Sequence, residues 1–160
     1  MVATDTIDIT LRPLEKGDID WVYEIEIQTF TDPWPRHTFS ELLGEEWSAC
    51  FVALSGGNLV GYVCAVGRAD ELHIHNIAVC AACRGRGIGR RLLAQAETWA
   101  RDRGKLCAIL DVRESNARAM SLYESAGYVE VGRRRRCYDN PVEDALVLMK
   151  TLLDTPEEKV

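Results

Sequence analysis

Hydrophobic and polar residues alternate at the start of the chain. Ile7, Ile9 and Leu11 stand between polar neighbours, and a period of two predicts a half-buried strand. Beyond Pro13 the period changes. Ile19, Val22, Tyr23, Glu26, Ile27 and Phe30 recur at helical intervals between Asp18 and Phe30, with Asp18 placed as an N-cap. Thr31-Asp32-Pro33-Trp34-Pro35 ends this helix, because proline lacks an amide hydrogen and restricts the residue before it. A second, short helix is predicted from about Arg36 to Leu43. Ala49 to Leu54 and Leu59 to Val66 read as strands joined by Ser55-Gly56-Gly57-Asn58, a hairpin signal.

Glu71 to Cys80 predicts a further strand, and it runs into Arg84-Gly85-Arg86-Gly87-Ile88-Gly89. The clearest helix follows, with Ile88, Leu92, Leu93, Ala96, Trp99 and Ala100 on its apolar face and Gly104 as its stop. Leu106 to Val112 is an almost continuous apolar run, as expected of a strand covered on both faces. Ser115 is placed to cap a helix that runs through Ala126 and stops at Gly127. Tyr128 to Arg135 and Ala145 to Leu152 complete the strands. The order β-α-α-β-β-β-α-β-α-β-β predicts an α/β (α+β) domain around one mixed sheet. Residues 1–154 form a single domain in this reading, and 155–160 a short polar tail expected to fray.

Composition narrows the function classes. With 47% hydrophobic and 28% charged positions in 160 residues, the chain can build a core. No apolar run approaches the ~18–20 residues of a membrane span. Met1 to Asp8 carries acids and no basic segment ahead of an apolar run, so no secretory signal is expected, and the expected location is cytoplasmic. Nineteen basic against twenty-five acidic residues, net −6, argue against stable nucleic-acid binding and suit a cationic partner. Of six cysteines, Cys50, Cys64, Cys107 and Cys137 sit in or beside apolar strand-like runs, which reads as buried, reduced thiols. Cys80-Ala81-Ala82-Cys83 has no second cysteine pair at ligand spacing, and no metal is expected.

The candidate chemistry lies between Glu71 and Arg103. A glycine-rich turn opening a helix aims backbone amides and the positive end of the helix dipole at one place. Glycine lets a phosphate approach closely, and Arg84, Arg86, Arg90 and Arg91 add positive charge at the same mouth. The spacing of Gly85, Gly87 and Gly89 is not that of a dinucleotide fingerprint, and no Gly-Lys-Ser/Thr marks a nucleotide P-loop. With the preceding Asn76-Ile77-Ala78-Val79 and the later Asn116 and Leu122 to Tyr128, the segment resembles the acetyl-coenzyme A loop of the GNAT N-acetyltransferases. The element order agrees from about residue 7 to 152. Within that superfamily the chain looks most like the ribosomal-protein-alanine (RimI) type. Phe30 to Phe39 with its Pro-Trp core, Asp111 to Asn116, Arg134 to Tyr138 and Glu143-Asp144-Ala145 carry that resemblance.

The resemblance implies a mostly antiparallel sheet with helices on both faces, and acetyl-CoA as co-substrate. It implies that backbone groups of Ile77, Ala78 and Val79 hold the pantetheine arm. Amides of Arg84, Gly85, Arg86, Gly87, Ile88, Gly89 and Arg90 would hold the pyrophosphate, and Asn116 would bond the coenzyme. Tyr123 would protonate the departing thiolate. Asp111 stands where the family's general base is usually glutamate, and the missing methylene retracts the carboxylate by ~1.5 Å, a gap that one water bridges. An α-amine with a pKa near ~7.7–8.0 is already about one-tenth neutral at pH 7, so little base strength is needed.

Glu71, His73 and His75 share one strand face at period two, and one of them is a candidate to share the base role. Trp34, Glu71, His73 and Tyr138 are the candidate acceptor-binding residues. Asp111 also has a plain structural reading, pairing with Arg113 or capping the next helix. The run Arg133 to Arg136 alternates faces and reads as a solvated edge or a groove wall. The expected activity is acetyl transfer to the N-terminal α-amine of a small-subunit ribosomal protein by direct amine attack, with a monomer as the default state. Alternatives are acetylation of a lysine side chain or small-molecule amine, or a non-catalytic acyl-CoA-binding module.

Overall fold

The computed structural model of this chain describes residues 8–153. Ile7 and the polar tail lie outside the described residues. The strands are β1 (Ile9–Pro13), β2 (Ser48–Ser55), β3 (Asn58–Arg68), β4 (Glu71–Val79), β5 (Cys107–Arg113), β6 (Val129–Asp139) and β7 (Val142–Thr151). The α-helices are α1 (Ile19–Thr29), α2 (Arg36–Leu42), α3 (Ile88–Asp102) and α4 (Ala117–Ser125), and two short 3-10 turns precede α1 and α3. All seven strands join one sheet in the order β1-β2-β3-β4-β5-β7-β6. Neighbours are antiparallel except β4 and β5, which run parallel. No helix among the described residues is long and apolar enough to cross a membrane.

Each sheet face is covered by the helices whose apolar stripe matches it. On one face Ile88, Leu92, Leu93 and Ala96 of α3 pack with Phe51, Val63, Leu72 and Ile74. Tyr123 of α4 joins this core edge-on against Tyr128, ring centroids 5.8 Å apart. On the other face Val22 and Ile25 of α1 and Phe39 of α2 cover Val52, Tyr62 and Cys64.

Two features of the sheet create the cleft. The first is that β4 and β5 pair only from Glu71↔Cys107 to Ile74↔Leu110 and then part. The second is a bulge in β4: Cys64 opposes Asn76 and Ala65 opposes Ile74, leaving His75 as the extra residue. An extra residue shifts the pleat by one step. Leu72 and Ile74 therefore face α3, whereas beyond the bulge Ile77 and Val79 turn to that side and Ala78 faces α1 and α2.

Several expectations are corrected. The apolar run of β5 is not covered on both faces: Ala108, Leu110 and Val112 are buried, while Ile109, Asp111 and Arg113 are half-buried. The uncovered side of β5 lines the cleft. Asp18 does not cap α1. Its carboxylate accepts the Glu15 amide at 2.8 Å and holds the Arg12 guanidinium at 2.6 and 2.8 Å. The Arg12 hydrogen bond pulls the Asp18 pKa below its ordinary value, with burial opposing. Asn116, not Ser115, caps α4, accepting the Ala119 amide at 3.1 Å. Cys137 is exposed rather than packed in an apolar strand.

Candidate active site

A cleft of about 930 Å³ opens where β4 and β5 separate. One arm runs toward the N-terminus of α3, the other toward the segment with Phe30, Asp32 and Trp34 and toward Arg134, Cys137 and Tyr138 of β6. The arms differ in what lines them.

Backbone lines the first arm. Beyond Ile74 the edge of β4 facing β5 has no strand partner, which leaves main-chain groups of the 77–79 segment open along it, apart from the Val79 carbonyl, which Arg84 occupies. Gly87 is the N-cap of α3 in the left-handed region, φ +79, and Gly85 sits at φ +80. An L side chain would strain both positions, although a Cβ would meet nothing within 4 Å at either. Conformation, not crowding, therefore demands these two glycines. The first intrahelical bond of this cap runs from the Arg91 amide to the Gly87 carbonyl, 3.1 Å, which leaves the amides of Ile88, Gly89 and Arg90 without intrahelical partners.

The arginines at this mouth are less free than their sequence suggests. Arg84 donates through Nε to the Val79 carbonyl at 3.0 Å, and Arg90 donates to the Ser125 carbonyl at 2.9 Å. Arg91 reaches back to the Ile9 carbonyl at 3.1 Å and does not line the cleft, nor does Arg86. Asn116 lines it, with its carboxamide oxygen committed to the α4 cap.

Tyr123 stands between the arms, 6% exposed and lining the cleft. Burial pushes its phenol pKa well above the ordinary value, with Tyr138 adding to the shift, so the group keeps its proton through neutral pH.

Side chains line the second arm. Asp111 projects from the open side of β5, with Oδ1 3.5 Å from Arg134 Nε rather than paired with Arg113. Trp34 stacks obliquely on Phe39 at 5.5 Å and on His75 at 5.8 Å, and His73 stacks on His75 at 6.4 Å. Desolvation of the His75 ring lowers its pKa, helped by His73 and Arg68 and opposed by Asp111. His73 presents a buried Nε2 without a hydrogen-bond partner, 3.6 Å from a Glu71 carboxylate oxygen. Trp34, His73 and Tyr138 line the arm; Glu71 does not. Burial, then Cys137 and Asp111, push the Tyr138 phenol up to about 12. Of the basic run, Arg134 faces the cleft, while Arg133 is paired with Glu114 at 3.0 Å and Asp144 at 2.9 Å.

Sequence reasoning missed Glu26. It is 1% exposed, and its carboxylate accepts the Trp34 amide at 2.8 Å, both contacts from Asn76 Nδ2 at 2.8 Å, and the Tyr62 hydroxyl. It thereby ties the 30–35 segment to β3 and to the β4 bulge. The signal was a carboxylate on the apolar stripe of α1, where a charge persists only when satisfied.

Comparison with known proteins agrees with this geometry. Residues 19–128 match the acetyltransferase (GNAT) family. The chain is 37% identical over 155 residues to an N-alpha-acetyltransferase RimI of Mycobacterium tuberculosis, covering 93% of this chain and 96% of that protein. It is 34% identical over 143 residues to a putative ribosomal protein bS18-alanine N-acetyltransferase of Bacillus subtilis, covering 89% and 95%. The crystal structure of the ribosomal-protein-S18-alanine N-acetyltransferase from Escherichia coli superposes with a TM-score of 0.84 at 31% identity, covering 95% of this chain and 99% of that one. The first arm fits acetyl-CoA: an unpaired strand edge suits an amide-bearing pantetheine chain, and open helix amides suit a pyrophosphate. The chain belongs to the GNAT acetyltransferase family and is an acetyl-CoA-dependent N-acetyltransferase.

Proposed function

We propose that the acceptor is the N-terminal α-amine of a small-subunit ribosomal protein, modified in the cytoplasm by a monomeric enzyme. The observation that carries this reading is the extent of the similarity. The relatives named for bS18-alanine acetylation match over 86–89% of this chain, so the match takes in the acceptor arm as well as the coenzyme arm.

Acetyl-CoA, when bound, supplies an acetyl thioester. Amides of Ile88 to Arg90 and the glycine turn hold its phosphates, and the open edge of Ile77 to Val79 aligns its arm. Trp34, His73 and Tyr138 wall the entry of the acceptor chain. Asp111, directly or through one water, takes the proton that the amine sheds as it attacks the thioester carbonyl. The new C–N bond forms, the C–S bond breaks, and Tyr123 delivers its proton to the leaving sulfur. Burial keeps the tyrosine protonated at neutral pH, so its proton is in place when the thiolate departs. The test is mass spectrometry of a peptide pool of ribosomal N-termini, internal-lysine peptides and polyamines, incubated with acetyl-CoA and the protein. One acetyl group gained on an α-amine supports the reading. Acetylation confined to lysine or polyamine overturns the acceptor, and none anywhere overturns the reading altogether.

A further inference from the structure

The two walls of the acceptor arm are distant in sequence, and one side chain joins them. Arg113 is the last residue of β5, two positions beyond Asp111 on the same strand face. Its Nη2 donates to Thr31 Oγ1 at 3.4 Å and Asp32 Oδ2 at 3.2 Å on one wall. Its Nη1 donates to the Pro141 carbonyl at 3.0 Å and Glu143 Oε1 at 3.2 Å, and Nη2 also reaches the Asn140 carbonyl at 3.4 Å, all at the β6–β7 turn that follows Tyr138 of the other wall. The guanidinium carbon lies 4.3 Å from the centre of the Tyr138 ring. Among the described residues, every side-chain hydrogen bond or ion pair between segments 30–35 and 139–143 passes through Arg113.

We infer that Arg113 is a positioning residue that pins the two walls of the acceptor groove together and so sets acceptor affinity. The inference deepens the proposed reading and rests on it for the identity of the acceptor. Three physical features support the assignment. The Arg113 side chain is only 19% exposed, so its bonds are partly shielded from water. Glu143 is itself fixed, because its second oxygen accepts the Ser115 amide. The planar fork is the one side-chain group that offers donors in two directions with fixed spacing; a lysine ammonium is a single point charge. With Asp32 and Glu143 against it, the guanidinium presents no net positive charge to an incoming cationic amine.

The experiment compares the wild type with Arg113→Gln, Arg113→Lys and Asp32→Asn, using any acceptor that the wild type acetylates. Arg113→Gln raises acceptor KM about tenfold, as loss of a charge-assisted contact does, while acetyl-CoA affinity stays within about twofold. Arg113→Lys does not restore acceptor KM. Asp32→Asn, which releases one wall at an exposed site, gives a smaller rise and adds little on top of Arg113→Gln, the non-additivity of a shared contact. Hydrogen exchange reads the pin without any acceptor: amides in 30–34 and 139–143 exchange faster in Arg113→Gln, and those in 84–90 do not. Failure of the wild type on every acceptor would count against the proposed function, while exchange alone would still decide the pin. Unaltered exchange at both walls, a wild-type acceptor KM in Arg113→Gln or Arg113→Lys, or an equal loss of acetyl-CoA affinity overturns the inference.

Discussion

The two arms of the cleft are built on opposite principles. In the proposed reading the coenzyme arm comes mostly from one continuous stretch, Ile77 to Arg90, and offers main-chain amides and carbonyls. The acceptor arm collects side chains from β4, β5, β6 and the 30–35 segment. Glu26 braces that arm from beneath and Arg113 bridges it from above. A backbone site needs only local conformation, set here by left-handed turns at Gly85 and Gly87 and the start of α3. A side-chain site needs every supporting contact to form at once. The coenzyme arm is thus expected to tolerate side-chain changes that would disable the acceptor arm.

Perturbations aimed at one arm at a time break or sharpen this contrast. The largest effect is expected where the arms meet. Tyr123→Phe lowers kcat by about a hundredfold or more, the scale of a lost general acid, and leaves acetyl-CoA affinity within about twofold. Single-turnover rates beside calorimetric binding check this, and a wild-type rate removes Tyr123 from the mechanism. Next comes Glu26→Ala, which strands three donors, the buried Tyr62 hydroxyl and the part-buried Trp34 amide and Asn76 carboxamide. It should cost about 3 kcal/mol of stability and raise acceptor KM more than acetyl-CoA KM. Urea unfolding and steady-state kinetics measure both.

Gly87→Ala works on the other arm. A left-handed alanine costs about 1–2 kcal/mol, so the turn relaxes and acetyl-CoA Kd rises about tenfold with acceptor KM nearly constant. A matching rise in acceptor KM would show that the arms are not separable. The smallest effect is at His75. Its pKa is lowered, so the ring is neutral at neutral pH and gains charge only below the ordinary imidazole value of about 6.5. Protonation there places positive charge in the acceptor arm. Acceptor KM should therefore rise by a few-fold as pH falls through that lowered pKa, and His75→Asn should flatten this limb of the pH profile.

The same contrast explains what could be read from the chain. The hairpin at Gly56-Gly57, the α3 stripe and the glycine turn follow from neighbours within a few residues, and each stands where the pattern put it. Tyr123 and Asp111 were reachable through motif resemblance, and both line the cleft. Glu71 and Arg86 share the local pattern of their neighbours but lie outside the lining, because a period locates a face and not the limits of an opening. Ser115 was a plausible cap, yet Asn116 beside it took the role. The apolar run of β5 suggested two covered faces, but β4 diverges at Ile74 and leaves one of them open.

Element order, the coenzyme turn and the family chemistry were determined by the sequence, since turn conformation, amphipathic period and helix-end amides are properties of adjacent residues. Tertiary structure alone decided the acceptor side. The partners of Glu26 lie 8, 36 and 50 residues away, and Arg113 gathers groups 81 and 30 residues apart from it. Contacts at such separations depend on sheet order, the β4 bulge and the splay of β4 from β5. Those are outcomes of packing the whole sheet between its helices, and no short window of sequence contains them.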